Sequence, residues 1–167
     1  MWTIDAVVTQ LEALGPRLVE ITGGEPLAQD TCAPLCEALI ARGFTVLIET
    51  SGALPINVLP PQVIKIMDLK CPDSGECERN LWENLGHLDP AQDEVKFVIA
   101  SRADYEWTRD TIARYTLEKR CKAVLLSPAF GLIEPRDIVA WMLADALPAR
   151  FQLQMHKFIW DPKEKGV

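Results

Sequence analysis

Val19-Glu20-Ile21-Thr22-Gly23-Gly24-Glu25-Pro26 runs from a short apolar segment into two glycines, an acid and a proline. Branched apolar residues suit a pleated strand. Gly23 and Gly24 carry no Cβ, so the backbone there can turn sharply and approach another molecule closely. Pro26 fixes φ and has no N–H to donate, which stops the strand. The pattern fits a tight turn. It also fits a backbone-lined shelf at the carboxyl end of a parallel strand, where βα folds hold their ligands. A second polar turn, Glu49-Thr50-Ser51-Gly52, closes the next apolar run and favours the shelf.

Outward from this stretch, helix and strand patterns alternate. Residues 3–14 place Ile4, Val7, Val8, Leu11 and Leu14 on one helical stripe, with Thr3 or Asp5 as the cap and Gly15-Pro16 as the stop. Strands are expected over 18–22, 44–49, 63–69, 95–100, 122–127 and 151–156, and helices over 30–42, 104–119 and 135–146. The polar segment 72–93 is expected to hold one short helix. Repeated βα units with apolar strands call for a parallel sheet covered by helices, and right-handed crossovers roll it one way. A doubly wound sheet meets the same periodicity.

Bulk properties narrow the function classes. A chain of 167 residues supports one domain, expected to bury roughly 70% of its unfolded surface. A net charge of −7 argues against nucleic acid or an anionic membrane surface as partner. The five cysteines, odd in number and irregularly spaced, fit a reducing, cytoplasmic setting better than a disulfide framework. No run of about 18 apolar residues is present to span a bilayer.

Thr22-Gly23-Gly24-Glu25-Pro26 resembles the glycine motif with which radical S-adenosylmethionine (SAM) enzymes hold the amino group of their cofactor. Glu49-Thr50-Ser51-Gly52, Asp68-Leu69-Lys70-Cys71-Pro72, Val95-Lys96-Phe97-Val98-Ile99, Leu126-Ser127-Pro128 and Gln152-Leu153-Gln154-Met155-His156-Lys157 follow in the order seen in the 7-carboxy-7-deazaguanine synthase family. The resemblance implies a partial (β/α)6 barrel of the radical SAM type, here with its first strand missing. It implies a cytoplasmic homodimeric lyase of queuosine biosynthesis, which takes electrons from a flavodoxin or ferredoxin. Such an enzyme contracts a carboxylated tetrahydropterin with SAM, a [4Fe-4S] cluster and Mg2+.

Carried over residue by residue, the resemblance implies pterin contacts at Thr22 and His156 and at the terminal carboxylate of Val167. It implies SAM contacts at Gly24, at Asp68, Leu69 and Lys70, and at Ser127, Pro128, Ala129 and Phe130. Of Asp68-Leu69-Lys70, only Lys70 matches the family's usual Ser-Pro-Lys by identity. Plainer roles stand beside these. Lys70 reads equally as a rim lysine, Ser127-Pro128 as a strand stop, and His156 as a structural histidine at a strand end; His87 reads as a surface residue.

One departure is large. The family binds its cluster through a CxxxCxxC loop before the glycine motif, and no cysteine precedes Gly23. Cys32 and Cys36, at i and i+4 of a helix, read as small buried apolar groups. The expectation is a family member lacking its first strand, cluster loop and Mg2+ ligand, and inactive as it stands. A glycyl-radical activating enzyme and a cluster-less remnant binding module are the alternatives.

Overall fold

The computed structural model describes residues 2–161 and 164. Its elements in chain order are α1 (Ile4–Leu14), β1 (Leu18–Ile21), α2 (Cys32–Ala41), β2 (Thr45–Thr50), β3 (Ile64–Asp68), β4 (Glu94–Ile99), α3 (Arg102–Tyr115), β5 (Ala123–Pro128), α4 (Pro135–Ala144), β6 (Arg150–Phe151) and α5 (His156–Ile159). Thr3 caps α1, its hydroxyl accepting from Ala6 N at 3.2 Å. Ser101 does the same for α3 through Asp104 N.

The six strands are all parallel and stand in sequence order, β1-β2-β3-β4-β5-β6. A doubly wound sheet reverses its order at a switch point. Here every step goes the same way, so the sheet rolls into an arc of a barrel with the helices outside. The fold is the expected α/β partial barrel, with six strands in its sheet.

Parallel partners in register share a face. On the helix-covered face, Ile48, Met67, Val95, Phe97 and Leu126 are buried against Cys36, Leu39, Tyr105, Ile112 and Ile138 in one core. The opposite, concave face carries Glu20, Glu49, Asp68, Lys96 and Ser127. The strands are therefore not continuously apolar: β2 and β4 alternate between buried and half-buried positions.

Two predicted segments differ. Residues 72–93 form three separate 3₁₀ turns instead of one short helix. Buried asparagines hold this link in place of helical hydrogen bonds. Asn80 exchanges hydrogen bonds with Lys70 N and O, both at 2.9 Å. Asn84 accepts from Ile56 N and donates to Gly52 O and Leu54 O. The last strand is only Arg150–Phe151. Gln152 N still donates to Leu126 O at 2.9 Å, after which the chain leaves the sheet and winds into α5.

At the amino end of the barrel, Lys65 and Asp93 form a buried ion pair at 2.9 Å, with side chains 7% and 0% exposed. Asp93 also accepts from Lys65 N and Asp89 N, so it ties β3 to the start of β4. Among the described residues no helix is long and apolar enough to cross a membrane.

Candidate active site

The carboxyl end of β1 is built around one carboxylate. Glu25 accepts from Leu27 N at 3.0 Å, from Thr50 Oγ1 and Ser51 N at 2.8 Å each, and from Ser51 Oγ. It thereby ties the glycine turn after β1 to the polar turn after β2. Burial works against its ionisation, but the donors from Ser51, Leu27 and Thr50 outweigh burial and hold its pKa below the ordinary value. With these partners filled, Glu25 positions the turn and leaves the backbone of Gly23 and Gly24 to face outward. Those glycines have φ of 95° and 59°, and no atom lies within 4 Å of where a Cβ would stand on either. The shelf has positive-φ backbone, which favours glycine, and open space above it.

A cavity of about 370 Å³ opens on the concave face, lined by Glu20, Thr22, Glu49, Lys96, Ser127 and His156, with the Gln152-to-Met155 segment along its rim. Lys96 Nζ meets Glu49 Oε1 at 3.1 Å. Burial raises the pKa of Glu20; the neighbouring Glu49 raises it further, and Lys96 opposes both. The Ser127 hydroxyl is fully buried and has no hydrogen-bond partner among the described residues.

An adjoining cavity of about 350 Å³ includes Asp68, Lys70, Cys71, Asp104 and Ala129, and shares Gln154 with the first. Lys70 Nζ binds Asp68 Oδ2 at 2.6 Å, while Asp68 Oδ1 is buried without a partner among the described residues. Burial raises the Asp68 pKa in spite of Lys70 and Lys96. Asp104 is committed to the backbone, accepting from Asp73 N and Ala100 N.

The search of family models gave no match. The chain is 46% identical to the 7-carboxy-7-deazaguanine synthase of Koribacter versatilis, over 98% of this chain and 78% of that one. It is 43% identical to the synthase of Chlorobaculum tepidum, over 99% of this chain and 76% of that one. The chain belongs to the 7-carboxy-7-deazaguanine synthase family. Streptococcus suis SuiB, solved bound to S-adenosylmethionine, superposes with a TM-score of 0.61 at 12% identity, over 89% of this chain and 40% of that one. At that identity the likeness shows the fold alone.

Of the residues singled out by the family resemblance, Thr22, Ser127 and His156 share the first cavity; Asp68, Lys70 and Ala129 share the second. Lys70 is thus a half-buried cavity residue. His156 lines its cavity from the first turn of α5, not from a strand end, because β6 stops at Phe151. The Leu69 side chain is fully buried in the core and lines neither cavity. Pro128 and Phe130 face a separate hollow, where the Phe130 ring meets Phe158 edge-on at 5.5 Å. Val167 lies outside the described residues. His87 is exposed, as expected. Glu20, Glu49 and Lys96 lie within the quoted motifs but carry no site role in the sequence reading. Their signal was a charge inside an otherwise apolar strand, as in Leu-Val-Glu-Ile and Val-Lys-Phe-Val-Ile.

The cofactors that the family implies fit unequally. SAM fits the open glycine shelf and the polar cavities beside it. A [4Fe-4S] cluster does not fit the cysteines present, because its ligands must be thiolates converging on one point, and these cysteines are spread over separate elements. Burial pushes Cys36 and Cys71 up to about 12 and Cys121 up to about 11. Cys32 and Cys36 are packed into the core at 5% and 0% exposure, as small apolar groups. Among the described residues no three His, Cys, Asp or Glu side chains are grouped to hold a metal ion.

Proposed function

We propose that this chain serves the conversion of 6-carboxy-5,6,7,8-tetrahydropterin to 7-carboxy-7-deazaguanine with release of ammonia, a carbon–nitrogen lyase reaction on the route to queuosine. The observation that supports it most is the polar cavity at the carboxyl ends of the strands, where Thr22, Ser127 and His156 meet beside the open shelf of Gly23 and Gly24. The names of the relatives point to the same chemistry.

SAM, when bound, supplies the group that removes hydrogen from the pterin C6. The chain's own residues hold and shield the reactants. Backbone at Gly24 meets the SAM amino group. Asp68, Lys70 and Ala129, which line the second cavity, hold the nucleoside part, with Ser127, Pro128 and Phe130 at the end of β5 as further contacts in this reading. Thr22 and His156 hold the pterin, and the terminal carboxylate of Val167 is a further contact to it in this reading. Homodimerisation, a flavodoxin or ferredoxin donor and a cytoplasmic location belong to the same proposal. No step is assigned to an iron–sulfur cluster or to Mg2+.

Calorimetry tests this reading. Gly24→Val fills the shelf and is expected to weaken SAM binding at least tenfold, leaving 6-carboxypterin binding within twofold. His156→Ala is expected to do the reverse. Unchanged affinities in both variants would remove the assignment of these cavities.

A further inference from the structure

We infer that a cleft at the amino end of the barrel, by the starts of β5 and β6, binds a phosphate group. Lys122 and Arg150 neutralise its charge, and Glu118 accepts from its P–OH. The cleft lies at the opposite end of the strands from the two cavities described above, and the pterin reading makes no use of it.

The cleft measures about 340 Å³, and Glu118, Cys121, Lys122, Leu147 and Arg150 are among its lining. Lys122 directly precedes β5, and Arg150 opens β6. Both are set by the sheet: Lys122 N donates to Asp93 O at 2.7 Å, and Arg150 stands in register with Leu125. Their cationic groups therefore start from fixed backbone points on neighbouring strands.

Stability does not account for these cations. The amino end of a parallel barrel ordinarily serves packing, with ligands bound at the other end. At this same end Lys65 is matched by Asp93 at 2.9 Å. Lys122 and Arg150 have no ion pair among the described residues. Elsewhere Arg42 meets Glu12, Lys70 meets Asp68, and Arg102 meets Glu106. Acidic partners are abundant in a chain of net charge −7, so two unpaired cations beside one cleft leave a local positive field there. Lys119 and Arg120 add to it from the turn before β5. The Cys121 thiol takes up the nearby carbonyls of Leu117 and Ala123, at 3.2 Å each.

Two cations match a phosphate better than a carboxylate, because a phosphate carries up to two charges near neutrality and a carboxylate only one. The Arg150 fork suits two phosphate oxygens side by side, and the Lys122 ammonium acts as a point charge on a third. Glu118 has no ion pair with either cation, and as a carboxylate it is an acceptor only. It pairs with the proton that inorganic phosphate keeps on part of its population near neutral pH. Sulfate has the same shape without that proton, so the cleft tells the two ions apart.

Calorimetry on the full chain, near neutral pH and at constant ionic strength in chloride, compares inorganic phosphate, sulfate and glycerol 3-phosphate. Phosphate is expected to bind with a Kd below about 1 mM, and about fivefold more tightly than sulfate. Arg150→Gln and Lys122→Gln should each weaken phosphate about fivefold to tenfold. Glu118→Gln gives the side chain a donor for either ion and should bring the phosphate-to-sulfate ratio to within about twofold. The three side chains are exposed, and thermal melts check that the variants keep the fold. Amide shifts at Lys122 and Arg150 on titration of wild type with phosphate test the location without any variant. Tighter binding of glycerol 3-phosphate than of phosphate identifies an ester as the ligand, and weaker binding identifies the free ion; both uphold the site. The assignment is overturned if neither ligand binds at about 10 mM, if sulfate binds as tightly as phosphate, or if phosphate binding is unchanged when Lys122→Gln and Arg150→Gln are combined.

Discussion

Replacing Glu25 by alanine removes a single carboxylate that holds two turns together. Four donors lose their acceptor: Leu27 N, Thr50 Oγ1, Ser51 N and Ser51 Oγ. Not all of that loss is felt, because the half-buried site lets water replace some contacts. Thr50 is different, being only 2% exposed. Counting the Thr50 hydroxyl and the Ser51 amide at about 1.5 kcal/mol each, the low end for bonds to a charged acceptor, gives about 3 kcal/mol. For a domain of this size that corresponds to a fall in Tm of about 6–12 °C. Glu25→Gln keeps one acceptor oxygen and should lose about half as much. The folded pKa of Glu25 lies below its ordinary value of 4.5. Its ionisation therefore stabilises the fold fully above that ordinary value, and the contribution is lost as the pH falls through the depressed folded value. The gap between wild type and Glu25→Gln should be widest near neutrality and close in acid. Urea unfolding across that pH range is the assay. A Glu25→Ala protein within 0.5 kcal/mol of wild type, or a gap that grows in acid, refutes the reasoning.

Two further perturbations follow from the same geometry. Gly52 has φ of 69°, and a Cβ there would stand 2.8 Å from Cγ of the fully buried Met67. Gly52→Ala combines left-handed strain with overpacking and should cost about 2–4 kcal/mol by urea unfolding. Asp93→Ala leaves the buried Lys65 ammonium with only Val63 O as acceptor among the described residues and should cost about 3–5 kcal/mol. Lys65→Met leaves Asp93 its two amide donors and should cost less than half of that, as equilibrium unfolding of both variants would show.

The sheet was legible because its signals are local. Apolar strands ending at Gly23-Gly24, Gly52 and Pro128 marked the carboxyl ends, and capping by Thr3 marked the first helix. Direction and order needed the tertiary structure, since periodicity alone does not say whether the order reverses. The link over 72–93 was misread because its order comes from Asn80 and Asn84, which reach across the sequence to Lys70 and to Gly52 and Leu54. The end of β6 was misread because Gln152 to His156 keep a strand-like pattern after the last ladder bond at Gln152. Motifs located Thr22, Gly24 and Ser127, which sit at strand ends. They include Glu20, Glu49 and Lys96 without marking them as site residues, since only the sheet brings these charges onto one face.

In the proposed function, SAM and a carboxylated pterin share the mouth of this barrel. Amide chemical-shift mapping with S-adenosylhomocysteine and 6-carboxypterin tests it directly, since every proposed contact carries or adjoins a backbone N–H. The expected shifts cluster at Thr22 to Gly24, Glu49 to Ser51, Lys96, Ser127 and His156, on the concave face. Shifts confined to the opposite end of the barrel, around Lys122, Leu147 and Arg150, or no shifts at millimolar ligand, would contradict it.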